Sequence, residues 1–131
     1  MARKKSTLAV MTKARELAQY VFDACEKSPR KYRFSLCTKL QNYALNVIEE
    51  IYLANSSKDL GIRISHQERA RVNLAMTDYF ANLANELNCL SIHQYEVISL
   101  RDAEAMKLLV AWMNSSKKQL EEVSSPEKAS I

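Results

Sequence analysis

With 131 residues, one glycine, two prolines and 47% hydrophobic content, the chain has the length of a single domain and too little turn chemistry for a β-rich fold. No apolar run approaches the roughly 20 residues of a membrane span, and the net charge of +4 is modest. The basic start MARKKSTLAV lacks the apolar core of a signal peptide. Cys25, Cys37 and Cys89 are odd in number and widely spaced, which argues against a disulfide framework. These features together point to a reducing, cytoplasmic compartment and no membrane partner.

In chain order, apolar residues at Leu8, Met11, Ala14, Leu17, Ala18, Val21, Phe22 and Cys25 predict a first helix over residues 6–27. KSPRKYRF interrupts it, because Pro29 cannot continue a helix and disfavours the helical region in the residue before it. A second helix starts at Pro29 or at Ser35 and carries Leu36, Leu40, Tyr43, Ala44, Val47, Ile48, Ile51 and Tyr52 on one stripe. Glu49 and Glu50 read as an exposed pair. ANSSKDLGIRIS, with the only glycine, reads as the longest loop. Ser65 and Glu68 form a capping-box pattern that opens the third helix, whose stripe runs Ala70, Leu74, Thr77, Phe80, Ala81, Ala84 and Leu87 until Asn88 breaks it. Ser91 and Gln94 repeat the device. The fourth helix then carries Tyr95, Ile98, Ala105, Leu108, Leu109 and Trp112, and fades after Met113. Residues 1–120 are thus expected to form one all-α, antiparallel up-down-up-down four-helix bundle, because short connections force neighbouring helices to run antiparallel. Residues 121–131, polar and interrupted by Pro126, read as a disordered tail.

Charge is distributed unevenly. Residues 1–39 hold ten Lys/Arg against three acids, Glu16, Asp23 and Glu26, for +7; the remainder is −3. Lys27 at a helix end complements the helix dipole without any partner. Arg30, Lys31 and Arg33 precede the second helix, at its positive end, where cations are electrostatically awkward; an anionic partner accounts for them. Tyr32 and Phe34 interleave these cations, with two roles open to each: stacking on bases, or pinning the loop against the bundle. Arg63, Arg69 and Arg71 form a further cluster by charge alone. The candidate contact set for nucleic acid or a protein partner is Arg30, Lys31, Tyr32, Arg33, Lys39, Arg63, Arg69 and Arg71.

Nothing in the sequence builds a catalytic centre. The topology brings Cys25, Cys37, Cys89 and His93 to one end, yet without the close-paired spacing of zinc motifs, so the cysteines read as small buried hydrophobes. His66 and His93 follow helix caps at opposite ends and do not pair. No Glu-x-x-His arrangement, nucleophile triad or phosphate loop is present, so neither enzyme activity nor a cofactor or metal is expected. Six tyrosines exceed what a small core satisfies, and Val72, Met76 and Val110 lie off the main stripes, which hints at a subunit contact.

SPRKYRFSLCTKLQNYALNVIEEIYLAN, LSIHQYEVIS and AMKLLVAWMNSSKK together resemble the four-helix-bundle family that holds ribosomal-RNA intervening-sequence proteins and the accessory variability determinant of diversity-generating retroelements. The likeness covers roughly residues 8–118, and PRKYRF resembles the retroelement branch more closely. That resemblance implies a homopentameric barrel of bundles without catalysis of its own. It would bind a reverse transcriptase, template RNA and cDNA, and support mutagenic reverse transcription. Pro29, Arg30, Lys31, Phe34, Leu109 and Trp112 match the motif. Five copies would carry about +20, so that avidity replaces local charge density. The alternative, on the intervening-sequence branch, is a structural or interaction oligomer.

Overall fold

The computed structural model describes residues 2–124, with side chains from residue 9 onward. Four helices make up the described residues, with no strand among them: α1 Ala2–Glu26, α2 Leu36–Ser56, α3 Leu60–Glu86 and α4 Ile92–Ser124. A single 3-10 turn, Arg30–Tyr32, lies between α1 and α2. Each helix packs on its chain neighbours and α1 also packs on α4, so the four close into a ring. This is the up-down-up-down bundle that the short connections require.

The core runs along the axis as layers of large and small side chains. Leu17, Leu40, Ile51, Leu74, Ile98 and Leu109 are fully buried, each contributing about 1.5–3 kcal/mol by removal from water. Between them lie buried Ala14, Ala44, Ala54, Ala70, Ala81, Ala84 and Ala105, which let the helix backbones approach closely. The predicted stripes are wider than the seam that is buried. Phe22, Tyr52 and Leu87 lie at stripe edges and are exposed, whereas Val10, outside the predicted stripe, is 1% exposed. The reason is geometric: a helix in a four-membered ring buries only the strip facing the central axis and its two neighbours.

Helix ends follow local chemistry. α3 ends with Asn88 in the left-handed region at φ 62°. The Cys89 amide bonds the Ala84 carbonyl at 2.7 Å and the Asn88 amide that of Asn85 at 3.0 Å, a Schellman closure with Asn in place of glycine. Ser91 then opens α4 as expected: the Gln94 amide donates to Ser91 Oγ at 3.1 Å, and the Ser91 amide donates to Gln94 Oε1 at 2.9 Å.

Three boundaries differ from the sequence reading, the first being that α1 begins at Ala2 rather than at residue 6. Ser65 is not a cap, because α3 begins five residues earlier at Leu60, where Asp59 Oδ1 accepts from the Ile62 amide at 3.0 Å. The long loop shrinks to residues 57–59, and Gly61 is helical. α4 also continues past Met113 to Ser124, with Met113 and Ser116 buried. Residues 121–124 of the expected tail are therefore helical, and the rest of it lies outside the described residues.

Candidate nucleic-acid interface

The connection from α1 to α2 is a mounted turn rather than a loose loop. Ser28 Oγ donates to the Ala24 carbonyl at 3.1 Å, and Pro29 then leads the chain into the 3-10 turn, with Tyr32 and Arg33 amides bonding the Pro29 and Arg30 carbonyls. The Tyr32 hydroxyl donates to the Leu87 carbonyl at 3.0 Å, fastening the turn to the end of α3. Thr38 Oγ1 donates back to the Arg33 carbonyl at 2.9 Å, which fixes the entry to α2. Of the two roles open to Tyr32, the structure shows pinning.

This mount presents cations. Arg30, Lys31, Arg33 and Lys39 are all exposed. Lys31 Nζ sits 5.1 Å from the centre of the Tyr32 ring, and Lys39 Nζ lies 5.7 Å from that of Tyr43. Both ammonium groups thus rest on aromatic faces, which holds them without neutralising them. Arg33 has a structural partner as well, because its Nη2 donates to the Glu26 carbonyl at 3.3 Å, at the C-terminal end of α1. That bond answers the dipole of α1 while leaving the positive charge uncompensated.

Beside the mount, along α2, opens a groove of about 550 Å³ lined by Phe34, Lys39, Asn42, Tyr43 and Asn46 among others. Phe34 is 92% exposed. Tyr43 forms the floor, its ring stacked on Phe80 at 5.4 Å between centroids. Asn46 is positioned by a 3.3 Å bond from its Nδ2 to Asn73 Oδ1 on α3.

The candidate contact set is spread along the bundle. Arg63 lies at the start of α3 beside the end of α2, about 30 Å from the mount by the length of 21 helical residues. Arg69 and Arg71 lie farther along α3, close to Asn73, which bonds Asn46 midway along α2. Arg63 is not a surface cation: it is 6% exposed, with Nε donating to the Ala54 carbonyl at 3.2 Å and Nη2 to the Ser57 carbonyl at 2.8 Å. Its guanidinium caps the C-terminus of α2, where unpaired carbonyls and the negative dipole end attract a cation. Arg71 is bonded to Glu68, with Nε to Oε1 at 2.7 Å, and that bond holds the Glu68 carboxyl below its ordinary value. Arg69 is exposed.

At the mount's end of the bundle the three cysteines do meet. Cys37 and Cys89 sulfurs stand 4.0 Å apart, and Cys25 Sγ is 3.9 Å from the Cys37 carbonyl oxygen. All three are free and buried. Burial pushes the Cys25 thiol well above its ordinary value and raises that of Cys89 to about 11. Both therefore stay neutral thiols near neutral pH. Among the described residues no group of three or more His, Cys, Asp or Glu is arranged to hold a metal ion, and no helix is long and apolar enough to cross a membrane.

A family model described as bAvd-like matches residues 8–116, most of the chain, including the mounted turn and all four helices. The chain belongs to the bAvd-like family. Its fold also matches a crystal structure from Bacteroides thetaiotaomicron, a protein of unknown function from the S23 ribosomal protein family. That match has a TM-score of 0.77 and 18% identity, and covers 83% of this chain and 98% of that one. At this identity the likeness is one of fold. No curated protein matches.

Several features of this bAvd-like bundle escape sequence reasoning. Glu50, read as exposed, is half-buried and bonded through Oε1 to His66 Nδ1 at 2.7 Å, tying α2 to α3. Asn42 and Asn46 carry no signal beyond being polar positions on an amphipathic helix. Their placement beside Phe34 follows from where the mount leaves that ring. Asp102 lies among core residues of α4 at 5% exposure, and its Oδ2 has no partner. Burial, and then the neighbouring Asp78 carboxylate, push its pKa up to about 8.

Proposed function

We propose that this protein is a non-catalytic, cytoplasmic accessory factor of a diversity-generating retroelement. In this reading it holds template RNA, and the cDNA copied from it, against a reverse transcriptase during mutagenic synthesis. The observation that carries the reading is the mounted turn, where Arg30, Lys31, Arg33 and Lys39 are exposed on a segment fastened by Tyr32 and Thr38. Cations on a preorganised mount attract phosphate without a large ordering cost. Membership of the bAvd-like family supports the accessory role.

A homopentamer belongs to the same reading. An apolar groove of about 380 Å³ between α1 and α2, lined by Ala18, Phe22, Leu45 and Ile48, leaves Phe22 and Leu45 exposed on the protomer. Exposed apolar side chains grouped on one face suit a subunit contact better than water. Light scattering on the purified chain gives the assembly directly.

The test of the polyanion reading is binding of labelled RNA by fluorescence anisotropy at increasing salt. The substitutions Arg30→Gln, Lys31→Gln and Lys39→Gln together are expected to weaken binding at low salt. They should also flatten the dependence of log K on log salt by about 2 per protomer engaged, at about 0.7 per phosphate contact on a single strand. Binding that is indifferent to salt and to these three changes would refute the reading.

A further inference from the structure

Phe34 has no structural reason to be where it is. A fully exposed phenylalanine forgoes the stabilisation that burial of its ring would bring, and the turn that carries it is rigid enough to have pointed it inward, as it does Tyr32. At 92% exposure the ring stands clear of the bundle, at the mouth of the groove along α2. What surrounds the ring is a groove wall of mixed character, with the apolar Leu36 and the Tyr43 ring beside polar side chains. Lys39, Asn42 and Asn46 line the groove, Tyr43 floors it, no Asp or Glu belongs to it, and Arg33 precedes the ring in the chain.

Three chemistries in this groove suit one kind of occupant. A flat apolar ring offers a stacking face, a lysine meets a phosphate, and carboxamides present paired donors and acceptors to the edge of a base. A volume of about 550 Å³ falls within the range of about 300–1,000 Å³ typical of clefts for small ligands. In a duplex the base faces are stacked on one another and the edges paired, so a single projecting ring has nothing to engage without unstacking a step. We propose that this groove takes an unpaired nucleotide of single-stranded nucleic acid, its base stacked on Phe34 beside the amides of Asn42 and Asn46, its phosphate on Lys39. The proposal rests on the nucleic-acid reading above and adds to it that the chain distinguishes single strands from duplex.

Full-length protein is titrated against a labelled single strand of about 12 nucleotides, within the span of common single-strand sites, and against the same strand annealed to its complement. Phe34→Ala is expected to weaken single-strand binding about tenfold, from the loss of one base stack, and to leave duplex binding unchanged. Phe34→Tyr should restore it. Lys39→Gln should weaken both ligands. As a second readout, Phe34→Trp places a reporter at the groove. Its emission should be quenched by the single strand and not by the duplex, over a constant background from Trp112, which is 7% exposed. Since Phe34 touches no core, its substitutions leave the fold intact.

Equal loss of both ligands on Phe34→Ala, no loss of either, or an unquenched Trp at position 34 would each overturn the proposal. In those cases continued sensitivity to Arg30→Gln and Lys31→Gln would leave the wider polyanion reading standing. Failure of the wild-type chain to bind either ligand would remove both. Loss of reverse-transcriptase capture with RNA binding untouched would assign the ring to a protein contact instead, and overturn it too.

Discussion

Replacing Asp102 by Asn should stabilise the bundle at neutral and higher pH and destabilise it in acid. Asp102 sits on α4 between buried Ile98 and Ala105, with Oδ2 unpartnered and Asp78 Oδ1 also buried and unpartnered. The adjacent Arg101 is turned away, its guanidinium 5.7 Å from the Tyr20 ring and Nη1 3.7 Å from Glu16. With no cation to hold the charge, burial and the Asp78 carboxylate raise the pKa from 3.8 to about 8. A carboxyl raised in this sense contributes its full share of stability below pH 3.8. It loses that share as pH rises toward 8, because the unfolded chain releases the proton while the folded chain keeps it. From pH 3.8 to 7 is roughly three pH units at about 1.4 kcal/mol each, so holding the proton costs about 4 kcal/mol at pH 7. Asparagine has nothing to hold, but it brings an amide with two donors, at a cost of about 1–3 kcal/mol if these stay unpaired. The net expectation is a gain of about 1–3 kcal/mol at pH 7 and a loss of similar size at pH 4, where almost no proton-holding cost is relieved. Urea unfolding of wild type and Asp102→Asn at pH 4, 7 and 8.5, at one fixed protomer concentration, measures the difference. The variant's advantage should widen by several kcal/mol from the lowest pH to the highest. Parallel stability curves would show that the carboxylate is ionised and partnered in the folded protein, and would refute the reasoning.

Two further outcomes follow from the geometry. Arg63→Met keeps the aliphatic stem and removes the cap on α2; it should cost about 2 kcal/mol in urea unfolding, from charge-assisted bonds to the Ala54 and Ser57 carbonyls. RNA affinity of the folded variant should be unchanged, in contrast with Arg30→Gln. The buried thiols of Cys25, Cys37 and Cys89 should react with a thiol reagent at pH 8 only as fast as the bundle opens, since burial keeps Cys89 protonated up to about 11. Labelling of any of the three at the rate of a free thiol would show that this end of the bundle is open.

The features that local chemistry encodes were legible in the chain. Ser91 and Gln94 cap α4 through bonds between residues three apart, and Asn88 stops α3 because it tolerates a left-handed backbone, so neither depends on distant residues. The Ser65 and Glu68 pattern is equally local and fails. Asp59 captures the start of α3 first, and the turn it sets places Arg63 against the end of α2, where two carbonyls reward an earlier helix. Pattern ranks both caps alike; only the tertiary partner separates them.

The same division runs through the candidate site. Pro29, the cations around it and the amphipathic face of α2 follow from the order of residues alone, because charge and the 3.6-residue repeat are properties of the chain. Which cations remain exposed follows from packing. Arg63 looks like its neighbours until α2 ends beside it, and Tyr32 resembles Phe34 until one ring reaches the Leu87 carbonyl, 55 residues along, and the other is left in water. Periodicity sets which face of a helix is apolar. The pairing of helix ends, decided by contacts across the bundle, sets which polar groups find partners and which are left to bind something else.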